Sequence, residues 1–125
     1  MISVKIDTKE KFHVLKPQEP ILSANMTEDF EHLLLSHLHK EVKNVILNLE
    51  AVQTIEPEVA EMLQAIQQQF YEQAASFVIC DLQPQVEEWL DGEGLLEIMN
   101  TTPTESEAWD IVQMEEIERE ILGDE

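Results

Sequence analysis

Residues 44–82 read NVILNLEAVQTIEPEVAEMLQAIQQQFYEQAASFVICDL and carry the strongest structural signal in the chain. The stretch opens and closes on apolar runs, at residues 45–49 and 77–80, which are typical of strands buried on both faces. Between them, apolar residues recur at the three- and four-residue spacing of a helix that packs on a core: Val59, Met62, Leu63, Ile66 and Phe70. The pattern predicts a β-loop-α-β unit with parallel strands and a right-handed crossover.

Upstream of this unit, the pattern predicts two short strands and a helix. Apolar and polar residues alternate over residues 2–6, which indicates a half-buried strand, and a second strand is expected at residues 12–16. Two prolines then interrupt the pattern. A helix is expected next, with Asn25 or Thr27 as its N-cap. Its buried stripe is expected to consist of Phe30, Leu33, Leu34 and Leu38.

Downstream of the unit, we expect a short helix at residues 84–90 and a last short strand at residues 97–100. A terminal helix is expected from about residue 105 to residue 121. Thr104 is followed three residues later by Glu107, which is the spacing of a capping box. The final helix should therefore have a well-defined start.

The apolar residues of the terminal helix fall into two sets. The first set serves the core and consists of Ala108, Ile111 and Val112. The second set lies on a different side of the helix and consists of Met114, Ile117 and Ile121. We expect this second stripe to face a partner or a second copy of the chain, which motivates a homodimer hypothesis.

Together these elements predict an α/β fold in a single domain over residues 1–125. We expect a mixed sheet of four or five strands with about four helices packed mainly on one face. A chain of 125 residues buries roughly two-thirds of its unfolded surface, so it can build an ordinary core.

The charge of the chain is strongly acidic and unevenly placed. The formal net charge is −20, and residues 1–43 hold six of the seven basic residues. Among residues 44–125, Arg119 is the one base against 20 acids. Such a chain repels phosphate backbones and anionic lipids, so nucleic acids and membrane surfaces are not expected partners. A protein with a basic surface is the natural complement.

The expected compartment is the cytoplasm. No apolar stretch approaches the ~20 residues of a membrane helix, and the first residues alternate instead of forming a signal sequence. Cys80 is the single cysteine, which is typical of a reducing compartment and here indicates a buried, inert thiol.

Catalytic motifs are missing from the sequence. It has no Gly-rich phosphate loop, no Gly-x-Ser-x-Gly elbow and no His-Glu-x-x-His pair. Its four histidines lack the spacing of a zinc site, so we expect them on the surface and predict no metal and no cofactor. Glu56 and Glu58 could form an acid/base pair only in an apolar pocket, whereas a helix start stabilises charged carboxylates. We therefore predict a binding protein and not an enzyme.

The order of elements resembles the STAS domain family, which includes the anti-sigma-factor antagonists. The most specific stretches are residues 44–49 leading into residues 52–56; residues 77–82, 86–90, 94–96 and 105–108 continue the match. In the family, the loop ends in Asp-Ser-Ser-Gly at a helix start. A partner kinase, which is also the anti-sigma factor, phosphorylates the loop serine. The unphosphorylated domain binds that partner and frees the sigma factor, and phosphate breaks the complex.

This sequence departs from the family loop at all four positions. The aspartate falls on Glu56, the acceptor serine on Pro57, the next serine on Glu58 and the glycine on Val59. The resemblance therefore implies a domain without the usual acceptor. Three hypotheses follow. The loop is simply a good helix start; Glu58 imitates a fixed phosphate, with less charge than the real group; or Thr54 replaces the serine as acceptor.

The resemblance implies a non-enzymatic module that regulates transcription by binding a protein, such as an anti-sigma factor or serine kinase with a basic surface. The alternative is a STAS-like accessory subunit that docks on a transporter ATPase or permease. The predicted contact residues are Thr54, Glu56, Glu58, Glu61 and Gln64. They lie at an exposed strand-to-helix junction, where binding residues concentrate.

Overall fold

A computed structural model describes residues 2–123. Within these residues the strands are β1 (Val4–Thr8), β2 (His13–Pro17), β3 (Ile21–Leu22), β4 (Val45–Asn48), β5 (Thr54–Ile55), β6 (Phe77–Cys80) and β7 (Thr101–Thr102). The helices are α1 (Thr27–Ser36), α2 (Pro57–Glu72), α3 (Pro84–Gly92) and α4 (Glu105–Gly123). Short 3-10 turns occur at Ala24–Met26, His37–His39 and Leu96–Ile98.

The main sheet has five strands in the order β1-β2-β4-β6-β7. Strand β1 is antiparallel to β2, and the other neighbours are parallel, so the sheet is mixed. Strand β4 pairs with β6 from Val45 opposite Phe77 to Asn48 opposite Cys80, with α2 as the crossover. The predicted β-loop-α-β unit and the predicted α/β fold with its mixed sheet are confirmed.

The helices cover the two faces of the sheet unequally. Helices α1, α2 and α3 pack on one face, over a core that includes Leu15, Leu47, Phe70, Phe77 and Ile79. Alternate residues of the same strands point to the other face, which α4 alone covers within residues 2–123. That smaller core consists of Phe12, Val14, Ile46, Val78, Cys80, Ala108 and Val112. The prediction of helices mainly on one face is confirmed.

Two local predictions are wrong. Residues 97–100 do not form a strand, because backbone bonds from Ile98 and Met99 to the carbonyl of Leu95 close a 3-10 turn there. The strand β7 begins directly after the predicted range, at Thr101. Neither Asn25 nor Thr27 caps α1, because the chain enters that helix directly from the preceding 3-10 turn, with Met26 at the N-cap position.

The prediction that Thr104 caps the start of α4 is confirmed. The backbone N–H of Glu107 donates to the Thr104 hydroxyl at 3.3 Å, and that hydroxyl donates to the Glu107 carboxylate at 3.1 Å. Within residues 2–123, no helix has both the length and the apolar character needed to cross a membrane.

A polar network ties α4 to the amino ends of β4 and β6. The carboxylate of Glu115 accepts from the Tyr71 hydroxyl at 2.7 Å and from the Ser76 hydroxyl. Arg119 turns inward and donates to Asn44 at 3.2 Å. Burial is the main reason that the pKa of Tyr71 is raised, so the phenol stays neutral and keeps its proton for the carboxylate. The network holds α4 on the sheet in addition to the contacts of the apolar core.

The prediction of four surface histidines is wrong for two of them. His13 and His37 are buried, and their rings meet edge to face with centroids 4.7 Å apart. His13 lies between the Thr8 hydroxyl and the carbonyl of Val42, both at 2.9 Å. A carbonyl can only accept, so the Nε2 of His13 carries its proton.

His37 is held in a neutral form. Its Nδ1 donates to the carbonyl of Leu33 at 3.0 Å, and its Nε2 is buried with no partner within the described residues. Loss of hydration, followed by the positive charge of nearby Lys40, lowers the pKa of His37 to about 4. A buried imidazole of this kind makes the stability of the fold depend on pH.

Candidate functional site

The loop before α2 is positioned by a small parallel pairing outside the main sheet. Strand β3 pairs with β5, with Ile21 opposite Thr54 and Leu22 opposite Ile55. The N–H of Glu56 continues this ladder by donating to the carbonyl of Leu22 at 2.9 Å. The loop therefore enters α2 along a fixed path.

The start of α2 explains three of the four departures from the family loop. Pro57 occupies the first helical position, where its missing N–H costs nothing. Val59 is fully buried and adds to the core. Glu56 is the N-cap residue, and one of its carboxylate oxygens accepts from the N–H of Ala24 at 2.6 Å. Glu56 thus joins the mouth of α2 to the turn before α1.

The remaining predicted contact residues are exposed. Thr54 lies in β5, and Glu58, Glu61 and Gln64 follow one another at three-residue spacing on the outer side of α2. Within residues 2–123, neither Glu58 nor Glu61 has a hydrogen-bond or ion-pair partner. Glu56 is half-buried and already engaged. The junction therefore presents free carboxylates to the solvent.

The structure adds neighbours that the sequence did not indicate. Ile21 is 49% exposed and lies beside Thr54. A groove of about 220 Å³ borders the same strand on the other side. It is lined by Gln53, Thr54, Ile55, Gln85, Val86 and Trp89. Strands of two residues are too short to show an alternating pattern, so no sequence signal could have found this pairing.

The side chains at the junction define the chemistry that it can offer. Its side chains offer carboxylates, an amide, a hydroxyl and exposed apolar surface. Cys80 is buried, and burial followed by the neighbouring charge of Asp81 raises the pKa of its thiol, which disfavours the reactive thiolate. Among residues 2–123, no three His, Cys, Asp or Glu side chains are grouped so that they could hold a metal ion.

Comparison with known proteins gives a family match and several structural neighbours. The model of the STAS domain matches residues 3–108. No curated protein matches the chain significantly by sequence. A candidate anti-sigma factor antagonist from Thermotoga maritima superposes with a TM-score of 0.79 at 20% identity, covering 88% of this chain and 94% of its own.

Two further neighbours contain the same fold, one as nearly its whole chain and one as a small part of a longer chain. The Bacillus cell fate determinant SpoIIAA, in its phosphorylated form, gives a TM-score of 0.64 at 15% identity and covers 88% of this chain and 99% of its own. The murine anion transporter Slc26a9 gives 0.69 at 14% identity over 83% of this chain but only 18% of its own length. At these identities the likeness is one of fold.

Proposed function

The chain belongs to the STAS domain family, and we propose that it is a signalling module that binds a protein partner and catalyses no reaction itself. The contact surface consists of Thr54, Glu56, Glu58, Glu61 and Gln64, at the end of β5 and along the first turns of α2. The partner is a cytoplasmic protein with a basic surface, such as an anti-sigma factor or a serine kinase.

The observation that carries this proposal is the pair of exposed carboxylates at Glu58 and Glu61. Within residues 2–123 no hydrogen bond or ion pair engages their side chains, and only Glu58 lies in the first turn of α2, where the helix dipole favours a negative charge. Free charges of one sign at the rim of a binding surface attract a partner of the opposite sign and raise its association rate. Glu56 positions this surface through its bond to Ala24.

The proposal is tested by purifying the tagged chain from its native host and identifying its partners. We expect a single dominant protein, and we expect the double variant Glu58→Lys/Glu61→Lys to bind that protein about tenfold more weakly or worse when both are purified. The matched control is Asp91→Lys/Glu93→Lys, at two exposed acids at the end of α3, which changes the net charge equally. Equal weakening by both variants would show that only the overall charge matters.

Regulation of this surface differs from the family pattern because Pro57 has no hydroxyl to accept phosphate. Thr54 is the substitute acceptor that the loop offers, and it is exposed. Mapping phosphosites on the purified chain examines this hypothesis directly. If Thr54→Ala incorporates as much phosphate from the native kinase as the wild type does, Thr54 is not the acceptor.

The hypothesis that Glu58 imitates a phosphate makes a separate prediction. Replacing residues 56–58 by Asp-Ser-Ser restores the family loop and removes the fixed charge at Glu58. We expect the affinity for the purified partner to change by about tenfold or more, as measured by calorimetry. Treating the variant with the partner kinase should then reverse the change. An unchanged affinity would leave the loop as a helix start only.

A second candidate function is docking on a transporter. The observation that favours it is the fold likeness to part of the murine anion transporter Slc26a9. In this case the chain is an accessory subunit that binds a transporter ATPase or permease. Recovery of transporter subunits in the purification, without any phosphosite, would select this candidate over the first.

A further inference from the structure

The outer face of α4 is an exposed apolar surface that no other element covers among residues 2–123. Four of the exposed large apolar side chains lie on its last three turns: Met114 (55% exposed), Ile117 (56%), Ile121 (67%) and Leu122 (67%). The first three are spaced three and four residues apart, so they form a stripe on one side of the helix. Ala108 and Val112 hold the opposite side against the sheet.

The charges around this stripe are acidic. Asp110, Glu118 and Glu120 are exposed on α4. Arg119 is the basic residue of α4, but its charge does not offset these acids. Its guanidinium turns inward to Asn44, Ser76 and Glu116 at 3.1–3.2 Å. The stripe is therefore an apolar line bordered by carboxylates.

A groove of about 470 Å³ adjoins the stripe, between α4 and the turn that joins β1 to β2. Ile117 belongs to both the stripe and the groove. Phe12 and Trp109 supply aromatic surface, with their rings 5.1 Å apart, and Lys9 lies 5.6 Å from the Trp109 ring. The groove is large enough for one or two bulky apolar side chains that reach in from a partner lying on the stripe.

The stripe is separate from the proposed contact surface. The STAS domain match ends at residue 108, whereas Met114, Ile117 and Ile121 lie beyond it. Helix α4 also covers the face of the sheet opposite α2. The stripe thus lies outside the residues that the family model matches.

We infer that the outer face of α4, together with the adjoining groove, binds an amphipathic helix of a partner protein whose apolar side is flanked by lysine or arginine. Such a helix matches both the apolar line and its acidic borders. A second copy fits less well, because pairing two α4 helices brings like charges together in a chain of net charge −20. A lipid surface also fits less well, because helices that lie on membranes are rich in Lys and Arg.

The test uses a synthetic helical peptide of about 18 residues, five turns long, with leucines along one side and lysines beside them. Binding is followed by amide chemical shifts of the isotopically labelled chain. We expect the shifts to concentrate on α4 and on residues 9–12. The triple variant Met114→Gln/Ile117→Gln/Ile121→Gln should bind about tenfold more weakly or worse, because large buried side chains dominate such contacts.

Two matched controls separate this surface from other effects. The variant Ile6→Gln/Ile98→Gln removes exposed apolar side chains elsewhere and should bind the peptide as the wild type does. The variant Glu58→Lys/Glu61→Lys should also bind it normally, so failure here is distinguishable from failure of the proposed function. Because all these positions are exposed, the variants should keep the fold.

Three results would overturn the inference. A peptide of the same composition with its leucines scrambled could bind equally well, which would mean that charge alone drives binding. The shifts could fall on residues 54–64, which would place the peptide on the other surface. Light scattering could show a wild-type dimer that the triple variant abolishes, which would make a second copy the occupant.

Discussion

Replacing Asn44 with alanine should lower the free energy of unfolding by about 3–4 kcal/mol, because several buried polar groups lose their partner at once. The side chain is buried and makes four hydrogen bonds. Its oxygen accepts from the N–H of Ser76 at 2.7 Å and from Arg119 at 3.2 Å. Its amide donates to the carbonyl of Lys11 at 2.9 Å and to Glu116 at 2.8 Å. Urea unfolding at neutral pH measures the loss.

The same variant has a second, local readout. The hydrogen bond from Asn44 is the main reason that the pKa of Glu116 is lowered, so this pKa should rise in Asn44→Ala. The matched control is Asn25→Ala, an exposed asparagine, which should change the stability by less than about 0.5 kcal/mol. A loss below about 1 kcal/mol in Asn44→Ala would mean that water replaces the missing bonds.

Replacing His37 with leucine should make the stability of the chain less sensitive to acid. In the folded state the pKa of His37 is lowered to about 4 from its ordinary 6.5. Between these values the unfolded chain binds a proton that the folded chain does not, so the wild type loses stability as the pH falls. For this one group the loss is about 2 kcal/mol by pH 5 and is complete below about pH 4.

Urea unfolding of both proteins at pH 7 and pH 5 measures this effect. The two proteins differ at this one residue, so the difference between them in pH dependence isolates the histidine. The leucine also removes the His37 bond to the carbonyl of Leu33, which still accepts from the Ser36 hydroxyl at 2.6 Å, and this loss is the same at both pH values. His32→Gln, at an exposed histidine, should keep the wild-type dependence. If His37→Leu also kept the wild-type dependence of stability on pH, His37 would not be the group that causes it.

The parts of the fold that the sequence predicted are those with long, regular patterns. The apolar runs of β4 and β6 and the helical spacing of α2 each extend over enough residues to show their period. Strands β3 and β5 have two residues each, and β7 is equally short. Their positions come from contacts with distant residues, which no local pattern contains.

The same distinction applies to the candidate site. The exposed start of α2 was predictable, because Pro57 indicates a first helical position and the neighbouring acids suit a helix dipole. The bond from Ala24 to Glu56 joins residues 32 positions apart, and the neighbouring Ile21 reaches the site only through β3. The burial of His13 and His37 was missed for a similar reason, since both are covered by residues far along the chain.

Because Cys80 lies under α4, the rate at which a reagent labels its thiol reports how often this helix opens. Within the part of the chain described by the structure, α4 alone covers that face of the sheet, and the thiol lies in the small core beneath it with Ala108 and Val112. A thiol reagent can reach Cys80 only while α4 is lifted, so the labelling rate at fixed pH counts how often this helix opens. A ligand that lies on α4 and holds it down would slow that rate, and one that pulls the helix away would speed it.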